Sequence, residues 1–121
     1  MNRRELGARG ERLAQDFLKK RGYRILGANV RSQQGELYIV AEKGGCLVFV
    51  EVRTKSNRNF GTPEESVTPA KKAKLIDLAL AYIQDHHPRL SDWRIDVVAV
   101  EMNAGKVVRL ELIENAVQGV G

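Results

Sequence analysis

The chain has 121 residues, of which 43% are hydrophobic and 29% charged, ordinary values for one globular domain with a core of its own. A single cysteine, Cys46, excludes an internal disulfide and points to a reducing, cytoplasmic compartment, while the start, MNRRELGARGERLAQ, lacks the apolar stretch of a secretory leader and no run of about 18 apolar residues spans a membrane. The formal net charge is +5, yet residues 1–35 hold nine Lys/Arg against three acids and the rest is close to neutral; such front-loaded charge suits a polyanion, nucleic acid first, or a solubilising helix surface.

Arg3 to about Arg21 is predicted to be an amphipathic helix. Leu6, Gly10, Leu13, Ala14, Phe17 and Leu18 fall on one stripe, and Gly22 caps the end. Glu11 sits at the edge of that stripe. Its neighbours three and four residues away are Gly7, Ala8, Ala14 and Gln15, none of them cationic, so its partner is expected on another element: an arginine, a backbone donor or a metal. Tyr23–Arg31 reads as a strand in which Gly27 marks a bulge, and Ser32-Gln33-Gln34-Gly35 as a turn. Leu37, Ile39 and Ala41 then alternate with Glu36, Tyr38 and Val40, the period of a strand. Glu42-Lys43-Gly44-Gly45 makes a tight turn, because glycine reaches positive φ without steric cost. In the following strand, Leu47–Lys55, one face carries Val48, Val50 and Val52; the other carries Leu47, Phe49, Glu51, Arg53 and Lys55. A carboxylate and two cations thus leave one face of an apolar strand.

Ser56–Thr68 is rich in Asn, Gly and Pro and reads as a long loop, a length that favours a functional role. Phe60 is expected to anchor it, the alternative being contact with a base. A second helix begins with Thr68 as N-cap and Pro69 at the first helical position, and buries Ile76, Ala79, Leu80 and Ile83. Lys71, Lys72 and Lys74 crowd its first turns, where the macrodipole prefers anions. With the free amides of the helix start they form a candidate phosphate site, or they are ordinary solvated lysines; Lys72 shares the face of Ile76 and Ile83. His86-His87-Pro88 ends the helix, and adjacent histidines do not share a face, so they read as C-terminal cations rather than a metal pair. Trp93–Glu101 is a fourth strand, Met102–Gly105 a turn, Lys106–Ile113 a fifth strand, and the tail over 117–121 irregular. The order α-β-β-β-α-β-β is an α/β or α+β layout with the hairpin central and helices packed on the sheet.

Glu11, Glu36 and Glu51 are acids on separate elements, and Arg53 and Lys55 flank Glu51. Carboxylates gathered near cations serve metal-dependent phosphodiester hydrolysis: oxygen ligands hold the metal, the metal produces a water nucleophile, and a cation stabilises the transition state. Glu-x-Arg alone is a weak signal, since it occurs by chance in many strands.

Longer matches carry more. GARGERLA at 7–14, GYRIL at 22–26, Asn29-Val30-Arg31, GELYIVA at 35–41, LVFVEVRTK at 47–55, FGTPEESV at 60–67, the lysines after Pro69, RIDVV at 94–98 and Glu114-Asn115-Ala116 together resemble the YraN-like family of small bacterial proteins. That family lies in the restriction-endonuclease-like PD-(D/E)XK superfamily and is similar to the archaeal Holliday-junction resolvases. The resemblance runs from about Gly7 to Ala116. It implies an α/β, restriction-endonuclease-like domain over 1–121 with a central mixed sheet of about five strands flanked by helices. It implies a metal-dependent DNA endonuclease acting on branched recombination or repair DNA, with Mg²⁺ or Mn²⁺ as cofactor, DNA as partner and a homodimer to deliver two cuts. The family's helix acid falls on Glu11, and its Glu-x-Lys on Glu51-Val52-Arg53, with arginine in place of lysine. Arg31, Lys55, Lys71, Lys72 and Lys74 are the cations expected on nucleic acid.

The family's metal-binding aspartate falls on position 38, which here is Tyr38. A neutral phenol is a poor Mg²⁺ ligand, and Arg53 stays protonated, so it stabilises charge but is no base. The sequence allows Glu36, two residues earlier and roughly 7 Å along the same strand face, to supply the carboxylate. It also allows Glu64 or Glu65 to reach in from the loop, or a fold that binds nucleic acid without cutting it. A tyrosine nucleophile has no other support.

Overall fold

The computed structural model describes residues 2–31 and 37–117, with the backbone alone at Arg31, Leu37 and Tyr38. The turn over 32–35, Glu36 and the tail from 118 lie outside the described residues. Helix α1 runs Arg3–Lys20, started by the Asn2 side chain, which accepts from the Glu5 amide at 2.9 Å. The chain leaves it through Gly22 at φ +85, a conformation that favours glycine. Gly10, Ala14 and Leu18 are buried, with Leu6, Leu13 and Phe17 half-buried beside them, the stripe the spacing predicts.

Strands β1 (Arg24–Arg31), β2 (Leu37–Lys43), β3 (Cys46–Lys55), β4 (Asp92–Asn103) and β5 (Lys106–Ile113) form one sheet in chain order. Neighbours are antiparallel except β3 and β4, which run parallel from Cys46↔Asp92 to Lys55↔Glu101. A parallel pair needs a long crossover, and helix α2 (Pro69–His86) lies within it, preceded by a short 3-10 turn at Glu64–Ser66. The expected bulge is present, since the β1–β2 register slips on both sides of Gly27. The mixed five-stranded sheet with its two helices is the α/β core expected from the sequence.

Alternation along β3 and β4 sorts two cores. Val48, Val50, Val98 and Val100 pack with Ala14 and Leu18 of α1. Leu47, Phe49, Ile95 and Val97 pack with Leu75, Leu78 and Ala79 of α2, where Val117 is also buried. Each helix therefore covers one face, and both central strands read as near-continuous valine-rich runs. Thr68 caps α2 as predicted, its Oγ1 accepting from the Lys71 amide at 3.2 Å. The buried face departs from expectation: Leu80 is 49% exposed. The inward face carries Leu75, Leu78 and Ala79, and the Tyr82 ring meets Phe49 edge-on at 5.5 Å. Among the described residues no helix is long and apolar enough to cross a membrane.

At Gly10, α1 comes close against Thr54 of β3. A Cβ there would lie 1.9 Å from Thr54 Oγ1 and 2.9 Å from Thr54 Cβ. Gly10→Ala is expected to cost about 1–3 kcal/mol by overpacking, read as a lower urea midpoint at constant slope. An unchanged midpoint would mean that α1 lifts off β3 freely.

Asp96 is a buried charge that pattern reading did not single out. It is wholly buried on β4. It accepts from Tyr23 Oη at 3.1 Å, Arg94 Nε at 3.0 Å and the Asn115 amide at 2.8 Å. Burial, then the Asp96 charge, push the Tyr23 phenol up to about 12, so it stays a donor at any physiological pH. The cluster ties the chain before β1 to β4 and to the turn after β5.

Candidate functional site

β3 stays apolar on its α2 side through Phe49, then presents Glu51, which is only 6% exposed. The first turn of α2 brings Lys71 to it, Nζ lying 3.1 Å from Glu51 Oε2. Of the three clustered lysines, Lys71 is the inward one. Lys72, expected on the inner face, is exposed, and Lys74 is half-buried. The reason is helical phase: Lys71, Leu75 and Leu78 stand at i, i+4 and i+7 on the stripe that meets the sheet.

Glu11 arrives from α1. It is half-buried, and its Oε1 is buried with no hydrogen-bond partner among the described residues. Burial, followed by the charge of Glu51, raises its carboxyl above the ordinary range. Both acids line one open cleft of about 650 Å³, rimmed by Arg3, Arg4 and Arg12. Two carboxylates that repel each other, one with a spare buried oxygen, suit a divalent cation. Mg²⁺ is commonly held by one or two carboxylates, with waters and substrate phosphates completing its shell, so Glu11 and Glu51 fit Mg²⁺ or Mn²⁺ on chemistry. Among the described residues no group of three or more His, Cys, Asp or Glu gathers.

The β2–β3 ladder pairs Val40↔Phe49 and Ile39↔Val50. Among the described residues the pairing ends there, one residue short of Tyr38 on β2 and of Glu51 on β3, and Tyr38 pairs through its backbone with Val30 on the other side. Glu36 lies outside the described residues. Glu64 and Glu65 are engaged elsewhere. Arg109 donates to Glu64 at 2.8 and 2.5 Å, and these bonds pull its carboxyl down to about 2. Glu65 accepts from Thr62 N and Oγ1, both at 2.8 Å.

Arg53 reaches away from Glu51: its Nε donates to Ser66 Oγ at 2.9 Å and joins β3 to the 3-10 turn. Lys55 Nζ donates to the carbonyls of Phe60 and Gly61 at 3.4 and 3.2 Å. Both line a second open cleft of about 670 Å³ that shares Arg3, Gly7 and Val52 with the first. Arg31 closes the β1 ladder opposite Leu37. The structure thus gathers Glu11, Glu51 and Lys71 and gives Arg53 and Lys55 to the loop. The Lys71–Glu51 contact was missed in the sequence, though the phase of Lys71 with Leu75 and Leu78 signals it.

The family model described as "Uncharacterised protein family UPF0102" matches residues 10–100, a span that includes Glu11, Tyr38, Glu51 and Lys71. A UPF0102 protein of Dehalococcoides mccartyi is 49% identical over 115 residues, 95% of this chain and 94% of its own length. One of Symbiobacterium thermophilum is 44% identical over 113 residues, 93% of this chain and 96% of its own. One of Caldicellulosiruptor saccharolyticus is 44% identical over 117 residues, 96% and 99% respectively. With near end-to-end matches of this kind and a family model covering most of its length, the chain belongs to the UPF0102, or YraN-like, family.

Proposed function

We propose that this protein is a nuclease-like, nucleic-acid-binding domain that takes the DNA backbone into the Glu11–Glu51 cleft with Mg²⁺ or Mn²⁺ and hydrolyses it there, on branched recombination or repair DNA. One observation carries the reading: two carboxylates from different elements line a single arginine-rimmed cleft, and one keeps a buried oxygen without a partner among the described residues. Glu11 and Glu51 would hold the cation. When bound, it supplies Lewis-acid polarisation of the phosphoryl oxygen and a water of lowered pKa. Arg3, Arg4 and Arg12 draw the phosphates in. Lys71 offsets the charge of Glu51 and adds a fixed cation beside the reacting phosphate. Paired cuts across a junction require two such sites, hence a homodimer.

Tyr38 favours a second reading, a non-catalytic binding module on the same fold. A neutral phenol at the position of the family's metal-binding aspartate is a poor ligand for the cation. Affinity for duplex and four-way-junction DNA, measured against salt, tests what both readings share. A steep negative log–log slope is expected, and a slope near zero overturns both. Incubation of linear, branched and single-stranded DNA with Mg²⁺ or Mn²⁺ then separates them. Cutting by the native chain that Glu51→Gln abolishes establishes the endonuclease, and loss in Glu36→Gln as well assigns Glu36 as the replacement ligand. Cutting by Tyr38→Asp alone establishes the non-catalytic module. If neither chain cuts any substrate, the enzymatic reading falls.

A further inference from the structure

Phe60 is a large apolar side chain that the fold does not use. It is 90% exposed, although the loop sequence leads one to expect an anchor. The backbone around it is nonetheless pinned. Arg58, two residues earlier, donates to both oxygens of the buried Glu101 at 2.6 and 2.8 Å. The Gly61 amide closes a turn on the Arg58 carbonyl at 3.0 Å, and Lys55 holds the carbonyls of Phe60 and Gly61. Gly61 sits at φ +92, a conformation L side chains rarely adopt. The aromatic ring is therefore left in solvent by a braced loop.

Its surroundings select a ligand class. Phe60 lines the 670 Å³ cleft together with Arg3, Lys55, Asn57 and Asn59, and no other residue lining that cleft is an exposed large hydrophobic. A protein-docking surface gathers several exposed apolar anchors, whereas here one exposed aromatic face shares its cleft with cations and amides, and the other apolar residues of the lining, Leu6 and Val52, are half-buried. Cations track phosphates, amides read base edges, and an aromatic face stacks on any base. This cleft also runs into the carboxylate cleft through Arg3, Gly7 and Val52.

We infer that Phe60 is a base-stacking platform: its cleft takes an unpaired nucleobase of single-stranded or branched DNA whose backbone continues along Arg3 toward Glu11 and Glu51. The inference rests on the nucleic-acid reading of that site. Bases inside an intact duplex have both faces covered by their neighbours, so the platform discriminates for unstacked bases and gives the domain its preference for branch points and single strands.

Fluorescence anisotropy tests it with four probes: a short single strand, the same strand built of abasic sites, a blunt duplex and a four-way junction. Phe60→Ala is expected to weaken the base-bearing strand and the junction by about tenfold or more. The abasic strand and the blunt duplex should stay within about twofold, with an unchanged salt slope. Phe60→Trp should keep the affinity and show emission quenched on binding. If the native chain binds and Phe60→Ala loses nothing, or loses equally on the abasic strand, the platform is overturned while the nucleic-acid reading stands. If the native chain binds none of the four, both fall. If Phe60→Ala instead dissociates a dimer in sedimentation equilibrium without a base-dependent loss, Phe60 contacts a second copy and the inference is wrong.

Discussion

Asp96→Ala is expected to destabilise the protein by about 3–5 kcal/mol, the usual consequence of breaking a buried charge pair by removing one partner. The Asp96 carboxylate has no solvent exposure and collects three separate segments. Its loss takes the charge partner from the Arg94 guanidinium, whose side chain is 23% exposed and keeps its bond to the Tyr23 hydroxyl at 2.8 Å. It also takes the acceptor from the Tyr23 hydroxyl, whose residue is 4% exposed. Each buried donor stripped of its acceptor costs about 1–3 kcal/mol. A domain of this size has about 5–15 kcal/mol in hand, so the variant should sit near its unfolding midpoint at 37 °C, read as an early urea transition. Asp96→Asn keeps the shape and one acceptor oxygen and should fall between. A loss below about 1 kcal/mol would show that water replaces the carboxylate and that the cluster is not a structural tie.

Glu11→Gln is expected to act in opposite directions on stability and on metal response. Burial, then Glu51, raises the Glu11 pKa in the folded chain above its ordinary 4.5. The native state thus binds this proton more tightly than the unfolded state does, and stability falls as pH rises from the unfolded value through the folded one. Above the folded value the whole penalty is present; below the ordinary range it is absent. Glutamine carries no charge, so the variant should be the more stable at neutral pH, and the advantage should vanish in acid below the glutamate range. Urea midpoints across that range check the sign. Saturating Mn²⁺ should stabilise the native chain by about 2.7 kcal/mol at a hundredfold excess over Kd and leave Glu11→Gln unmoved. A Mn²⁺ response that survives in the variant would remove Glu11 from the ligand set.

The inward lysine, the outward Leu80 and the exposed Phe60 show where pattern reading stops. Lys71 and Lys72 differ by one helical position, about 100° of rotation, and the rotation of α2 is set by its packing on strand residues far away in the chain, such as Tyr82 on Phe49. Phe60 reads as an anchor because most phenylalanines are buried; in the fold its loop is instead held by Arg58 on Glu101 of β4 and by Lys55, and Phe60 stays exposed. Arg53 reads as the companion of Glu51 because they share a strand face, yet Ser66 takes its Nε.

By itself the sequence determined the two helices, with Gly22 closing the first and Thr68 opening the second, the bulge at Gly27, the strand faces and the element order, because helical period, pleat alternation and turn chemistry are set by residues within a few positions of each other. It also marked Glu11 as an acid lacking a partner on its own helix. Only the tertiary structure decided that Lys71 rather than Arg53 meets Glu51, that Glu11 shares a cleft with it, that Asp96 is buried among Tyr23, Arg94 and Asn115, and that Phe60 stands in solvent. Those outcomes depend on strand register and on the rotation of each helix about its axis. Both are fixed by packing between distant segments, where a shift of one residue changes which charges are buried together.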